Sequence, residues 1–128
     1  MQHDQSVLLF NSVVFVLVGL AFLLFPEQTA LRVTDSSPSS ASGLIDMRAT
    51  YGGVLLGVGF IFHLLNRLPQ SRANGLRALI AVLGGMAVGR IAGMLIDGPA
   101  NFMMYLFLVY ELVFIGLSWA ILRKSDKV

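Results

Sequence analysis

The chain has 128 residues, 56% of them hydrophobic and 12% charged, with a formal net charge of +2 and a mean hydropathy of +0.79. That is about half the charge of a typical soluble domain. The absence of Cys excludes disulfides, thiolate metal sites and a cysteine nucleophile.

A helix needs ~20 predominantly apolar residues to cross a ~30 Å hydrocarbon core. Four runs meet that requirement: Ser6–Phe25, Arg48–Leu68, Arg77–Ile96 and Phe102–Leu122. They predict an all-α membrane protein, a four-transmembrane-helix antiparallel bundle in which one domain accounts for residues 1–128.

The first run is expected to be a retained span. Its leading segment carries Asp4 and no Lys or Arg, and no small-residue cleavage site follows Phe25. Pro26 takes the chain out of regular helix, and Leu31 and Val33 suggest a short interfacial turn. The Ser-rich stretch from Asp35 to Gly43 lacks apolar periodicity and reads as a mobile loop. Asp46 is placed to cap the second span. Pro69 to Gly75 forms a short turn into the third span, and Asp97-Gly98-Pro99 a tight turn into the fourth.

Six of the nine basic residues fall into two clusters, Arg67/Arg72/Arg77 and Arg123/Lys124/Lys127. Four spans put both clusters on one side, and the positive-inside rule makes that side, and both termini, cytoplasmic. The opposite side has Arg32 and Arg48 against Glu27, Asp35, Asp46 and Asp97. The clusters are the ordinary topology signal, so no nucleic-acid partner is expected. The bilayer is the expected partner.

Small residues recur at every fourth position: Ala49, Gly53 and Gly57 on span two, and Ala81, Gly85, Gly89 and Gly93 on span three. Such spacing lines one helix face and lets backbones approach closely. The expectation is that spans two and three pack on each other there, with Leu83 facing lipid. Room for a ligand, or a homo-oligomer through the glycine faces, is the alternative.

Two opposite charges sit inside the last two spans. At 1.5 Å of rise per residue, Arg90 lies about 9 Å below the outer end of its span and Glu111 about 13 Å below the outer start of its own. An Arg side chain covers that difference. Asp97 lies two turns from Arg90 on the same face, and Arg48 and Tyr51 share the outer face of span two. Asp46, Arg48, Tyr51, Arg90, Asp97, Tyr110 and Glu111 are therefore expected to converge in the outer half of the bundle, Tyr110 being the weakest member because it points about 100° away from its neighbour Glu111. Charges at such depth normally face a partner or a polar cavity, so the cluster is either a ligand pocket or an ion pair that fixes helix register.

Asn11 is expected to make an interhelical hydrogen bond. His63 has too few N or O donors around it for a metal site. No cofactor is implied, and the sequence contains no phosphate loop, H-E-x-x-H, nucleophile elbow or dinucleotide fingerprint. Enzyme status stays open.

The run Asp46-Met47-Arg48-Ala49-Thr50-Tyr51-Gly52-Gly53, the pattern Gly89-Arg90 with Gly93 and Asp97-Gly98, and Glu111 together resemble a bacterial family of small four-span membrane proteins, domain of unknown function 4345. The resemblance covers about Val7 to Leu122. It implies a four-helix membrane bundle, multi-pass in the bacterial inner membrane, and brings no activity with it. The family's recurrent polar positions match Arg48, Tyr51, Arg90, Asp97 and Glu111.

Three functions are open on these residues. One is a pocket for a small amphiphilic or lipid-like molecule, with Glu111 as candidate acid or base, Arg90 as its partner and Tyr51 as a donor. The second is a small dimeric proton-coupled exporter using Glu111. The third is a structural or accessory subunit with no ligand.

Overall fold

The structure is a computed structural model and describes residues 2–125; Lys127 of the C-terminal basic cluster lies outside them. Most of the described residues fall in six α-helices: α1 (Gln2–Leu24), α2 (Pro26–Thr34), α3 (Ala41–Met47), α4 (Val54–Arg67), α5 (Arg72–Asp97) and α6 (Phe102–Ser125). A π-helical turn, Arg48–Gly53, joins α3 to α4, and a 3-10 turn, Pro69–Ser71, leads into α5. The described residues contain no strand. Among the described residues four helical stretches are long and apolar enough to cross a membrane: His3–Leu24, Ala41–Arg67, Pro69–Asp97 and Phe102–Lys124. The second and third begin about two turns earlier than the apolar runs: the Ser40 cap starts the second, and Pro69 in a first-turn position opens the third.

The segment after α1 is more helical than its composition suggests. Pro26 opens α2 at a first-turn position, where its missing N–H has no helical partner to lose. Leu31 and Val33 thus belong to a nine-residue helix, not to a turn. Asp35 ends it in the left-handed conformation, with φ 58°. The loop shrinks to residues 36–39, since Ser40 caps α3 by accepting a hydrogen bond from the Gly43 N–H at 3.1 Å. Asp46 is therefore not the cap. It lies inside the helix and accepts from Thr50 Oγ1 at 3.1 Å.

The chain divides into two compact units, residues 9–64 and a second comprising Leu65 onward with the first residues up to Leu8. In the 9–64 unit, α1 and α4 run antiparallel at close range, through different glycines from those expected. A Cβ on Gly59 would stand 2.8 Å from Val16 Cγ2 and 2.9 Å from the Ser12 carbonyl oxygen. One on Gly52 would stand 3.0 Å from the backbone of Leu23, and one on Gly19 2.8 Å from the Leu56 nitrogen. At this separation Ser12 Oγ donates to the Gly59 carbonyl at 2.8 Å, and Phe15 meets Phe62 edge to face at 5.5 Å. The expected stripe lies elsewhere. Ala49, Gly53 and Gly57 are exposed, and nothing lies within 4 Å of a Cβ on Gly57.

In the second unit, α5 and α6 form a helical hairpin. Gly98, with φ 103°, makes the backbone turn that an L side chain resists, and Asn101 caps α6 through its Oδ1, which accepts from the Met104 N–H at 3.1 Å. Leu76, Leu79, Leu83 and Ala87 form the buried stripe of α5. Leu83 is 0% exposed, so it is a core residue and does not face lipid. Ala81, Gly85 and Gly89 are exposed instead, with open space at Gly85 and Gly89. Every-fourth spacing identifies a shared face, but here that face has no packed neighbour.

Candidate functional site

The next position on the buried stripe of α5, three residues beyond Ala87, is Arg90. Seven-residue steps on α6 put Met104, Glu111 and Ser118 on one face, and Glu111 and Ser118 are buried. Arg90 and Glu111 meet across the hairpin. Arg90 Nε donates to Glu111 Oε1 and Oε2 at 3.3 Å each, and Nη2 donates to Oε1 at 2.7 Å. This is a fork-shaped, charge-assisted pairing in which Glu111 is 1% exposed. The Phe107 ring lies one turn from Glu111, and the guanidinium sits over it at 5.3 Å from the centroid, a cation–π contact. Nη1 donates to Met104 Sδ at 3.0 Å.

A guanidinium carries five N–H donors. Three are engaged by Glu111 and Met104, which leaves two without a hydrogen-bond partner among the described residues. The Arg90 side chain retains 15% exposure, and that exposure opens into a cleft of about 430 Å³. Gly89 and Gly93 line the cleft, with Met86, Met94 and Met104 around them. Asp97 lies at its end with the Gly98-Pro99-Ala100 turn. The glycines create the space: a Cβ at Gly89 would meet nothing within 4 Å, and at Gly93 only Asp97 Oδ2 at 3.7 Å. The result is an apolar, polarisable trough with a cation on one wall and a carboxylate at the end. Its volume falls in the range of small-molecule sites, ~300–1,000 Å³.

The other two residues of the expected cluster are placed by the 9–64 unit. Arg48 Nη1 donates to the Leu23 carbonyl and also reaches the Leu24 carbonyl at 3.4 Å. These are the last carbonyls of α1, left without helical partners by the break before Pro26, and a cation there also suits the negative end of the helix. Tyr51 packs on Phe22, with ring centroids 5.2 Å apart. With Gly52 seated on Leu23, Arg48 and Tyr51 form a clamp that closes α4 onto the end of α1. The first motif is thus accounted for by helix packing and the second by the cleft. Tyr110, the weakest member of the expected cluster, packs at 4.8 Å on Phe114 and does not line the cleft.

The methionines of the cleft were not singled out from the sequence. The signal was there: Met86 and Met94 stand four residues either side of Arg90, and Met104 seven before Glu111, all on the faces that carry the charges. Among the described residues no group of three His, Cys, Asp or Glu side chains is positioned to hold a metal ion. Asn11 is fully buried, and His63 is partly exposed on α4.

No curated protein and no solved structure matches the chain. The sequence model of one family, described as a domain of unknown function (DUF4345), matches residues 4–122, and the chain belongs to that family.

Proposed function

We propose that the protein is a multi-pass integral membrane protein, with both termini in the cytoplasm, that binds a small amphiphile in the cleft between α5 and α6. One observation carries the reading. The cleft opens where Gly89 and Gly93 leave space, directly beside two uncommitted N–H donors of a guanidinium already neutralised by Glu111. Pairing with Glu111 removes the cost of an isolated cation at this depth, so the spare donors are available to an uncharged acceptor.

The carboxylate of Asp97 at the other end disfavours an acidic head and accepts from a hydroxyl or amide. Arg90 and Asp97 stand two turns apart on α5, and Asp97 Oδ2 reaches back to within 3.7 Å of a Cβ on Gly93, which shortens the gap a short polyol head has to bridge. The glycines and methionines supply the surface for an acyl chain, and thioethers adapt to such shapes. An uncharged glycerol-type amphiphile is the class that satisfies both ends. A substrate-binding carboxylate of an exporter would need to face the cleft, and Glu111 does not line it. No reaction follows from this arrangement.

A photoreactive monoacylglycerol tests the reading in protein held in lipid nanodiscs. Adducts are expected on α5 and α6 near Met86, Met94 or Met104. Gly89→Leu should abolish them with the fold intact, because its side chain enters open space. Labelling of these helices that persists at full strength in Gly89→Leu and Gly93→Leu would refute a ligand in the cleft.

A further inference from the structure

At the opposite end of the α5–α6 hairpin, Arg77 from α5 and Arg123 from α6 line a second, open cavity of about 380 Å³ with Ile80, Trp119 and Leu122. We infer that this cavity seats the phosphate of an anionic phospholipid in the cytoplasmic leaflet. The inference rests on the membrane orientation proposed above and is independent of the amphiphile cleft.

Charge complementarity comes first. Arg77 Nη1 donates to Asn74 Oδ1 at 3.0 Å, a neutral partner, and the Arg123 guanidinium lies over the Trp119 ring at 5.6 Å. Neither has a carboxylate partner among the described residues. From Arg48 through Ile96 the sequence contains no Asp or Glu, and from Leu112 onward the one acid is Asp126, which lies outside the described residues beside Lys127. Two cations that line one cavity repel each other, and an anion between them relieves that repulsion. Arg is the side chain whose planar fork matches phosphate oxygens.

The surroundings specify a lipid source for that phosphate. Trp119 is 55% exposed in the last two turns of the fourth candidate span, the depth at which indole rings anchor at the headgroup level. Ile80 and Leu122 continue the wall toward the apolar part of both spans, as an esterified phosphate needs and a free one does not. Arg72 lies at the same end of α5 but is held by the Asn66 carbonyl, to which its Nε donates at 3.0 Å.

The chain contains a single Trp, so its fluorescence reports on this cavity alone. The protein is reconstituted in phosphatidylcholine containing a small fraction of lipid brominated near the top of the acyl chain, as either phosphatidylglycerol or phosphatidylcholine. Bromine quenches Trp119 in proportion to the local share of the labelled lipid. Each basic side chain near an anionic surface enriches acidic lipid roughly fivefold, so two acting together give on the order of 25-fold. Brominated phosphatidylglycerol should therefore quench far more than an equal fraction of brominated phosphatidylcholine. Arg77→Gln should cut that excess about fivefold, whereas Lys124→Gln, whose charge does not line the cavity and acts on the surrounding lipid generally, should cut it much less at Trp119.

Equal quenching by the two lipids in the wild type would overturn the seat. So would equal losses in Arg77→Gln and Lys124→Gln, which mark diffuse attraction only. Relief of quenching by millimolar inorganic phosphate would assign the cavity to a free anion and overturn the lipid source. If brominated phosphatidylcholine fails to quench at any fraction, Trp119 is not at a bilayer, and it is the membrane reading that falls.

Discussion

Two glycines two residues apart on α4 give a sharp test of how α1 and α4 are held. A methyl group added at Gly59 would stand 2.8 Å from Val16 Cγ2, 2.9 Å from the Ser12 carbonyl oxygen and 3.0 Å from the Val16 nitrogen. Two of those atoms are backbone, so side-chain rotation cannot relieve the crowding and the helices must separate. Forcing extra volume into a packed contact typically costs ~1–3 kcal/mol. Separation also weakens the Ser12–Gly59 hydrogen bond, a contact of a kind worth ~0.6 kcal/mol on average within membranes. At Gly57 the same methyl group meets nothing. Both changes gain helix propensity, about 1 kcal/mol for Gly→Ala, and that gain cancels when the two variants are compared. Gly59→Ala should therefore be about 2–3 kcal/mol less stable than Gly57→Ala. Reversible unfolding by SDS titration in mixed micelles, followed by helical ellipticity, measures the difference. Identical curves for the two variants would refute a backbone-to-backbone contact at Gly59.

Leu83→Ala, at a fully buried position, should cost about 2–5 kcal/mol, while Val88→Ala, at 69% exposure, should stay within ~0.5 kcal/mol by the same titration; comparable losses would mean that the buried stripe of α5 is misplaced. Arg90→Met and Glu111→Gln should each cost about 3–5 kcal/mol because each strands a buried charge, and the double variant should recover much of that loss; additive losses in the double-mutant cycle would show that the pair is not coupled. Single cysteines at Ser39 and Ser71 should react with an impermeant thiol reagent from opposite faces of intact cells, Ser39 from outside, and external labelling at Ser71 would reverse the topology.

Much of the helical layout was legible because hydropathy and length suffice for it. An apolar run of twenty residues has few alternatives to a membrane-length helix. The helix starts were not legible from hydropathy, since Ser40 begins α3 through one side-chain hydrogen bond in a segment with no apolar period. The encounter of Arg90 with Glu111 followed from depth arithmetic, because an intramembrane charge has very few other partners to choose from. Arg48 and Tyr51 join the expected cluster by their depth and the face they share on span two. Neither signal reveals local partners, such as the free carbonyls at the end of α1 to which Arg48 donates.

The glycines show the same limit from the other side. Gly53 and Gly57, and Gly85 and Gly89, have the spacing of a packed face, yet the contacts with α1 run through Gly52 of the π-helical turn and Gly59 of α4, one full heptad apart with Leu56 between them. Spacing says which residues share a face. It does not say whether another helix, a ligand or lipid lies opposite that face. On α5 the open glycines border a guanidinium with unused donors, and this second feature turns an unexplained stripe into a site. On α4 the open stripe has no such companion. Filling Gly89 should therefore change what the protein binds, whereas filling Gly57 should change little besides helix propensity.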